Sequence, residues 1–143
     1  MSEINTDSFL NELNAAAAKV QVDYELFVRK VCWDFFNVIR ARWAKDTGWS
    51  VNNWHIQAGS PDKTVYPDKP GKKIVHQTDM DGFSFKIEDG AIYITNNVYY
   101  AEFLELSPTI AWGKKPNPYQ GTVRIALTEF EDLMRKYAAG GTP

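Results

Sequence analysis

Residues 6–46, TDSFLNELNAAAAKVQVDYELFVRKVCWDFFNVIRARWAKD, decide the fold, because they contain neither proline nor glycine and their apolar residues are regularly spaced. The intervals alternate between three and four residues along the series Leu10, Leu13, Ala17, Val20, Tyr24, Phe27 and Val31. This spacing predicts an amphipathic helix with a heptad-like seam. After Val31 the apolar stripe widens, taking in Cys32, Phe35, Phe36, Val38, Ile39 and Trp43. We therefore expect the second half of the helix to be buried more completely than the first.

The length of this helix leaves two arrangements open. An unbroken helix to Asp46 would be about 60 Å long at 1.5 Å per residue, whereas a compact domain of this size has a radius of gyration of roughly 14 Å. The helix therefore either breaks near residues 19–23 into two packed helices or projects beyond its own domain. A projecting amphipathic helix needs a partner to cover its stripe, which is a first indication of an oligomer.

The segment after the helix contains strand and turn signals. Gly48 is placed to end the helix in the left-handed conformation, and residues 50–58 are predicted to form a strand. Residues 83–88 and 91–96 alternate in hydrophobicity on either side of Asp89-Gly90, a pair typical of a tight type I′ turn. These two runs are predicted to form an antiparallel hairpin.

Together these elements predict one α+β domain spanning residues 1–143. It contains a long N-terminal helix or helix pair, a small antiparallel sheet of about three to four strands with a hairpin at 83–96, and a C-terminal helix. The predicted parts are a helical region (1–46), a sheet region (47–106) with a mobile loop at 59–73, a second loop (107–121) and the C-terminal helix (122–138). Residues 98–106, at the end of the sheet region, fit either a strand or a helical turn.

Composition argues against several classes of protein. Hydrophobic residues make up 44% of the chain and charged residues 24%, as in an ordinary globular domain. The formal net charge is -2, which argues against a protein that coats nucleic acid. A single cysteine and two histidines cannot supply a disulfide framework or a zinc cage of the usual spacing. No membrane span or signal peptide is visible, so we expect a protein made in the cytosol.

Catalytic chemistry has little support in the sequence. The common nucleophile, phosphate-binding, metalloprotease and dinucleotide-binding motifs are missing. Cys32 lies mid-helix between apolar neighbours, the setting of a core thiol. His55 and His76 are separated by the mobile loop and are expected to be polar residues at the surface or a strand edge. We therefore predict no enzyme, no catalytic residue, no cofactor and no metal.

Three segments carry more specific information. Their motifs are Asp46-Thr47-Gly48 with Asn53-Trp54; Asn96 with Tyr100-Ala101 and Leu104-Glu105; and Gly121-Thr122-Val123-Arg124 after a loop with Pro116 and Pro118. In this order and spacing, over about residues 20–138, they resemble the neck or tail-completion proteins of long-tailed bacteriophages, also described as minor tail components. The chain departs from the family pattern at Ala44-Lys45 and again after Glu105, where residues 106–113 stand in place of an early glycine.

The resemblance implies a structural virion protein. Copies of such proteins form a ring, generally a hexamer, at the junction between head connector and tail tube, and genome DNA passes through its centre. The implied partners are other copies of the chain, the neighbouring head-connector and tail-terminator or tail-tube rings, and DNA in passive contact, with no membrane. The implied location is the virion neck, and the host cytoplasm during assembly.

A ring of identical subunits needs a head-to-tail contact of about 800 Å² per partner, anchored by aromatic side chains. The interface candidates are Trp49, Tyr99, Tyr100 and Trp112, each of which could instead belong to the core. Arg124 begins a helix, where the helix dipole disfavours a positive charge. We therefore expect Arg124 to pair with Glu105 and so to fix the loop at 107–121.

Two other classes of function are also open. The first is a monomeric small-ligand-binding or enzymatic domain, with an aromatic pocket formed by Trp49, Trp54 and Tyr99 together with Glu102 or Glu105. The second is a DNA-binding accessory protein that uses the loop lysines, which are Lys63, Lys69, Lys72, Lys73, Lys114 and Lys115.

Overall fold

A computed structural model of the chain describes residues 6–138. The N-terminal signal-peptide expectation rests in part on residues 1–5, which lie outside the described residues. Helix α1 (Thr6–Arg42) is one unbroken helix of 37 residues, about 55 Å long. Of the two arrangements, the structure therefore has the continuous helix and not the helix pair.

Two small antiparallel sheets and two further helices follow α1. Strand β1 (Trp54–Ala58) pairs with β2 (Ile92–Asn96), with His55 opposite Thr95 and Ile56 opposite Ile94. Helix α2 (Ala101–Leu106) comes next, then the short strands β3 (Thr109–Ile110) and β4 (Lys115–Pro116), which pair with each other, and finally helix α3 (Thr122–Ala138). The α+β class, the long N-terminal helix and the C-terminal helix are confirmed, and residues 98–106 are mainly helical.

The hairpin predicted at 83–96 is wrong, because residues 92–96 pair with β1 and not with residues 83–88. The reason is that α1 holds the first run. The Phe83 ring is buried and stacks on Trp33 at 6.4 Å, while Arg29 donates a hydrogen bond to the Phe83 carbonyl. Residues 87–89 then form a 3-10 turn, in which the Ile87 amide donates to the buried Glu25 carboxylate at 2.8 Å. Tertiary contacts with α1 thus override the local turn signal.

The hydrophobic core lies on the C-terminal half of α1, as the widening stripe predicted. This half contributes Trp33, Phe36, Ile39 and Trp43, and the rest of the chain adds Val51, Trp54, Ile56, Phe83, Val98, Ala101 and Ala126. Helix α3 packs on the same half of α1, where the rings of Phe35 and Phe130 are 4.9 Å apart. An ion pair of 2.8 Å between Arg42 and Glu129 lies at the edge of this contact.

A buried arginine fastens residues 76–77 to α1. Arg40 is 2% exposed, and its guanidinium lies 4.1 Å from the centre of the Phe36 ring. It donates hydrogen bonds to the carbonyls of His76 and Gln77 at 2.7 and 2.8 Å. Burial lowers the pKa of Arg40 to about 10. The two terminal nitrogens therefore exchange water for backbone carbonyls, which offsets part of the cost of burying the charge, while the buried Nε has no hydrogen-bond partner within residues 6–138.

Side-chain amides fasten the rest of the segment at 59–78 to β1 and the 3-10 turn before it. The Asn53 amide accepts from the Tyr66 amide at 2.6 Å and donates to the Tyr66 carbonyl at 3.2 Å. The Gln77 side chain bonds in the same way to the N–H and C=O of Ile56, both at 3.1 Å. The N–H and C=O groups of any one strand residue point to the same edge of the strand. Gln77 therefore occupies the edge of β1 that is not paired with β2. Asn52 likewise links to Lys73 and Val75.

Gly48 is needed where the end of the α1 region meets this segment. Its φ is +76°, and the Gly71 amide donates to the carbonyl of the preceding Thr47 at 2.9 Å. A Cβ atom on Gly48 would lie 1.6 Å from the Gly71 carbonyl oxygen. The glycine of the Asp-Thr-Gly motif is therefore required by close backbone approach as well as by the left-handed conformation.

Two glycine substitutions separate the cost of the left-handed conformation from the cost of the close backbone contact. Gly71 also has a positive φ, +79°, but a Cβ atom there would meet nothing within 4 Å. We expect Gly71→Ala to lower the free energy of unfolding by about 1–2 kcal/mol, the cost of the left-handed conformation alone. Gly48→Ala should lower it by clearly more, since the backbone of residue 71 must also move. Urea unfolding of both variants checks this, and equal losses would contradict the role of the close contact.

Candidate functional site

The four candidate interface residues divide into two exposed and two half-buried side chains. Tyr99 is 85% exposed and Trp112 is 101% exposed, so neither belongs to the core of the subunit. Trp49 and Tyr100 are half-buried. The structure thus leaves Tyr99 and Trp112 available for an intermolecular contact and uses Trp49 and Tyr100 partly within the chain.

Three of the four lie together. The Trp49 ring centre is 6.0 Å from that of Tyr99 and 5.8 Å from that of Tyr100. The Lys69 Nζ lies 5.5 Å from the same ring, and the indole N–H donates to the Tyr66 carbonyl. Burial, and next the neighbouring Tyr99, raise the pKa of Tyr100. Trp49 therefore joins the 59–78 segment to the start of α2 and leaves the Tyr99 ring facing outward.

Trp112 stands apart at the tip of the β3–β4 hairpin. Ala111, Trp112 and Gly113 have φ values of +55°, +58° and +79°, so three consecutive residues adopt the left-handed conformation. Only the third is a glycine. The two others carry a backbone cost of about 1–2 kcal/mol each. A fully exposed tryptophan gains no burial within the chain to offset this cost, and strain of this kind is concentrated at functional positions.

The predicted pair of Glu105 and Arg124 does come together, but not as a side-chain ion pair. The Glu105 carboxylate accepts hydrogen bonds from the backbone amides of Val123 and Arg124 at 3.0 and 3.1 Å. Those amides belong to the first turn of α3, where the backbone N–H groups have no hydrogen-bond acceptor within the helix. Glu105 therefore caps the N-terminus of α3, where its negative charge interacts favourably with the helix dipole. The Arg124 side chain folds back over Gly121.

A largely apolar groove lies between α2, α3 and the end of α1. It encloses about 380 Å³. Its lining residues are Trp43, Trp54, Asn96, Ala101, Glu102, Glu105, Val123, Arg124 and Leu127. We refer to it as the α2–α3 groove. The sequence analysis did not find it; the one available signal is the spacing of Val123 and Leu127, which places both on one side of α3.

The aromatic pocket considered from the sequence is divided in the structure. Trp54 is buried and packs edge-on against Trp43 at 5.1 Å, in the α2–α3 groove with Glu102 and Glu105. Trp49 and Tyr99 belong to the separate aromatic cluster described above. No ring contact joins Trp54 to either of them within residues 6–138.

The two histidines meet across Tyr66, which the sequence analysis did not anticipate. His55 is buried and packs edge-on against the Tyr66 ring at 5.3 Å, and His76 stacks on its other side at 4.0 Å. A His55 ring nitrogen lies 2.8 Å from the Thr64 carbonyl. Asp62 and Asp68 lie 3.9 and 3.4 Å from the two imidazoles. This arrangement holds the 59–78 segment in place.

Other chemistry-bearing groups show no assembled site. Burial raises the pKa of the Cys32 thiol, the direction opposite to that of an activated nucleophile. Residues 6–138 contain no cluster of three or more histidine, cysteine or acidic side chains that could hold a metal ion. Within the same range, no helix combines the length and the apolar character needed to cross a membrane.

The Glu105 cap can be tested against the side-chain pair first expected. We predict that Glu105→Ala lowers the free energy of unfolding by about 1–2 kcal/mol, since two α3 amides lose a charged acceptor. Arg124→Ala should change it by less than about 0.5 kcal/mol, because alanine keeps the backbone amide. Denaturant unfolding of both variants measures this, and a larger loss for Arg124→Ala would contradict the capping geometry.

Asp62 gives a pH-dependent prediction. Burial acts to raise the pKa of Asp62, but hydrogen bonds from Thr64 and the neighbouring His55 outweigh it, so the pKa lies below the ordinary 3.8. A lowered carboxyl pKa stabilises the fold above the ordinary value, and this stabilisation is lost as pH falls through the lowered one. Asp62→Asn should therefore cost less than about 1 kcal/mol at neutral pH and nothing in acid. Urea unfolding across pH checks this, with Asp81→Asn as the control.

Comparisons of the chain with protein-family models, with curated proteins and with solved structures each find no match.

Proposed function

We propose that this chain is a structural subunit of the neck of a long-tailed bacteriophage, where copies of it form a ring at the head–tail junction. The ordered motifs described from the sequence support this assignment. DNA passes through the lumen of such a ring, and head-connector and tail rings lie on either side. The proposal assigns the chain no catalytic role.

One observation carries the self-association part of the proposal. The first half of α1 exposes a seam of apolar residues, which we call the α1 seam: Leu10, Leu13, Ala17, Val20 and Tyr24. The four large side chains are each half or more exposed, and Val20 reaches 68%. Their alternating three- and four-residue spacing places them on one face of the helix.

The α1 seam continues a face that is already used for helix packing. Farther along α1 the same spacing leads to Val31, Phe35 and Val38, which line one groove with Ala126, Phe130 and Leu133 of α3, and the Phe35 ring packs on that of Phe130. Helix α3 has 17 residues and is about 26 Å long, so it can cover at most half of α1. A contiguous exposed apolar face of this length is a feature of interaction sites and not of an isolated monomer.

A second copy of the chain is the partner that the seam fits. Only one charged residue, Lys19, lies between Asn14 and Gln21, and the small side chains of Ala16 and Ala17, beside and on the seam, allow two helices to approach closely. Helix seams of this kind associate through knobs-into-holes packing with a similar helix. A ring also needs a head-to-tail contact between two different surfaces, which closes when it is repeated by rotation.

The charge balance also suits a DNA conduit. Each phosphate that a protein neutralises adds to its affinity for DNA, so a strongly basic lumen would hold the genome back. The 16 basic and 18 acidic residues nearly cancel. Lys69 lies over Trp49, so one of the loop lysines is used within the subunit. The contact proposed with DNA is therefore passive.

Substitutions in the α1 seam test self-association directly. We expect the double variant Leu13→Glu/Val20→Glu to abolish concentration-dependent assembly, since two charges would be buried in the contact. The helix itself should persist because both positions are exposed. Sedimentation velocity over a concentration series measures assembly, and circular dichroism measures the helix.

The matched control is Ala15→Glu/Ala18→Glu, which adds the same charges to exposed positions of the same helix but off the seam. We expect it to assemble like the wild type. Purified virions of the phage that encodes the chain should contain wild-type protein at the neck by cryo-electron microscopy. Its absence from virions would overturn the neck assignment, and equal assembly of both double variants would overturn the role of the seam.

A further inference from the structure

The Trp112 hairpin has the form of an insertion device. Its indole is fully exposed at the tip of β3–β4, and the chain holds it there at the cost of two non-glycine residues in the left-handed conformation. Lys114 and Lys115 follow directly and are also exposed. The hairpin therefore presents one large aromatic side chain with two positive charges beside it, a combination suited to an apolar pocket with an acidic rim.

The α2–α3 groove has the complementary properties. Its walls are largely apolar and include the half-exposed Leu127. Glu102 lies on its rim, is exposed, and makes no ion pair within residues 6–138. Glu105 and Arg124 line the same groove with opposite charges. The net charge of the groove is therefore negative, and the carboxylate of Glu102 is free to receive a cation.

A second apolar groove, between α1 and α3, fits the hairpin less well. It encloses about 160 Å³, less than half the volume of the α2–α3 groove. Its two acidic residues are already neutralised within the chain, Asp34 by Lys30 at 2.6 Å and Glu129 by Arg42 at 2.8 Å. Of these two grooves between helices, the α2–α3 groove therefore offers the larger volume and an acidic residue, Glu102, that makes no ion pair within residues 6–138.

We propose that Trp112 of one copy inserts into the α2–α3 groove of the next copy, with Lys114 and Lys115 facing Glu102. This contact rests on the self-association in the proposed function and adds its second, head-to-tail surface. The two surfaces are different parts of the chain, so each subunit has one hairpin to donate and one groove to fill. Contacts of this heterologous type generate a ring when the rotation between successive copies closes, and an open filament when it does not.

Thiol cross-linking tests the geometry. In a Cys32→Ser background, the double variant Ala111→Cys/Leu127→Cys keeps the indole and carries one thiol beside it on the hairpin and one in the groove. A short bismaleimide should join successive copies into a ladder that extends beyond the dimer. A mixture of the two single-cysteine variants should stop at the dimer. Ala111→Cys/Val65→Cys, with its second thiol on an exposed residue of the 59–78 segment, should give no ladder.

Removal of the indole tests its energetic role. We expect Trp112→Gly to weaken subunit association by about thirty-fold, the usual effect of losing an aromatic anchor at an interface centre. Its melting temperature should be unchanged or raised, since glycine relieves the left-handed strain and no intramolecular contact is lost. Lys114→Glu/Lys115→Glu should also weaken association, and added Glu102→Lys should restore it.

The outcomes separate this contact from the proposed function. A ladder together with weaker association of Trp112→Gly supports the contact. If the wild type assembles but the double-cysteine variant gives no ladder, and Trp112→Gly assembles as well as the wild type, the hairpin contact is overturned while the ring stands. A ladder only with a protein from the adjoining ring would likewise overturn insertion between copies. A wild type that stays monomeric across the concentration series overturns both.

Discussion

Within residues 6–138, it is mainly the C-terminal half of α1 that packs against the rest of the chain, because α1 is about twice as long as α3. A helix of about 55 Å extends from a domain whose other long helix measures about 26 Å. The covered half carries the core, from Trp33 to Trp43. In the part of the chain that the structure describes, the large apolar side chains of the α1 seam on the other half are each half or more exposed. Because burial of apolar surface is the main stabilising term in folding, a partner that covered this face would stabilise the protein.

The domain around the covered half is held together by side chains more than by sheet hydrogen bonds. Its larger sheet has two strands, which alone are marginal in water. Asn53 and Gln77 extend it by pairing their amides with backbone groups of the neighbouring segment, and Arg40 binds the carbonyls of residues 76–77 from the α1 side. Because buried backbone groups must be paired, these side chains take the place of the missing strands. These hydrogen bonds attach the long 59–78 segment to the rest of the domain.

Two kinds of apolar surface remain exposed on the subunit. The α1 seam is a regular helical face, and the Trp112 hairpin is a single aromatic projection with strained backbone. The α2–α3 groove is the concave counterpart of the projection. A convex and a concave surface on one subunit are what repeated head-to-tail assembly requires, whereas a symmetric dimer would use one patch twice. The geometry of these surfaces and the motif resemblance both support the proposal that copies of the chain assemble.

Local patterns in the sequence determined the helical character of α1 and α3 and the need for glycine at position 48, but not helix α2 or the continuity of α1. Helical periodicity extends over many residues and depends on neighbours three and four positions apart, so it can be seen without tertiary contacts. Gly48 is marked by its place after the helix, although its close contact with Gly71 is visible only in space.

Tertiary structure decided the strand partners, the role of Glu105 and the groove. The Asp89-Gly90 turn signal was real, but burial of Phe83 against Trp33 held residues 83–86 away from β2 and left β1 to pair with it. Glu105 was expected beside Arg124, and it is, yet it binds backbone amides that every residue shares and no sequence pattern distinguishes. Trp43, Trp54 and Leu127 meet in one groove only because three separate segments converge there. Pairing and pocket formation depend on residues distant along the chain, and their energies exceed the local preferences that a sequence displays.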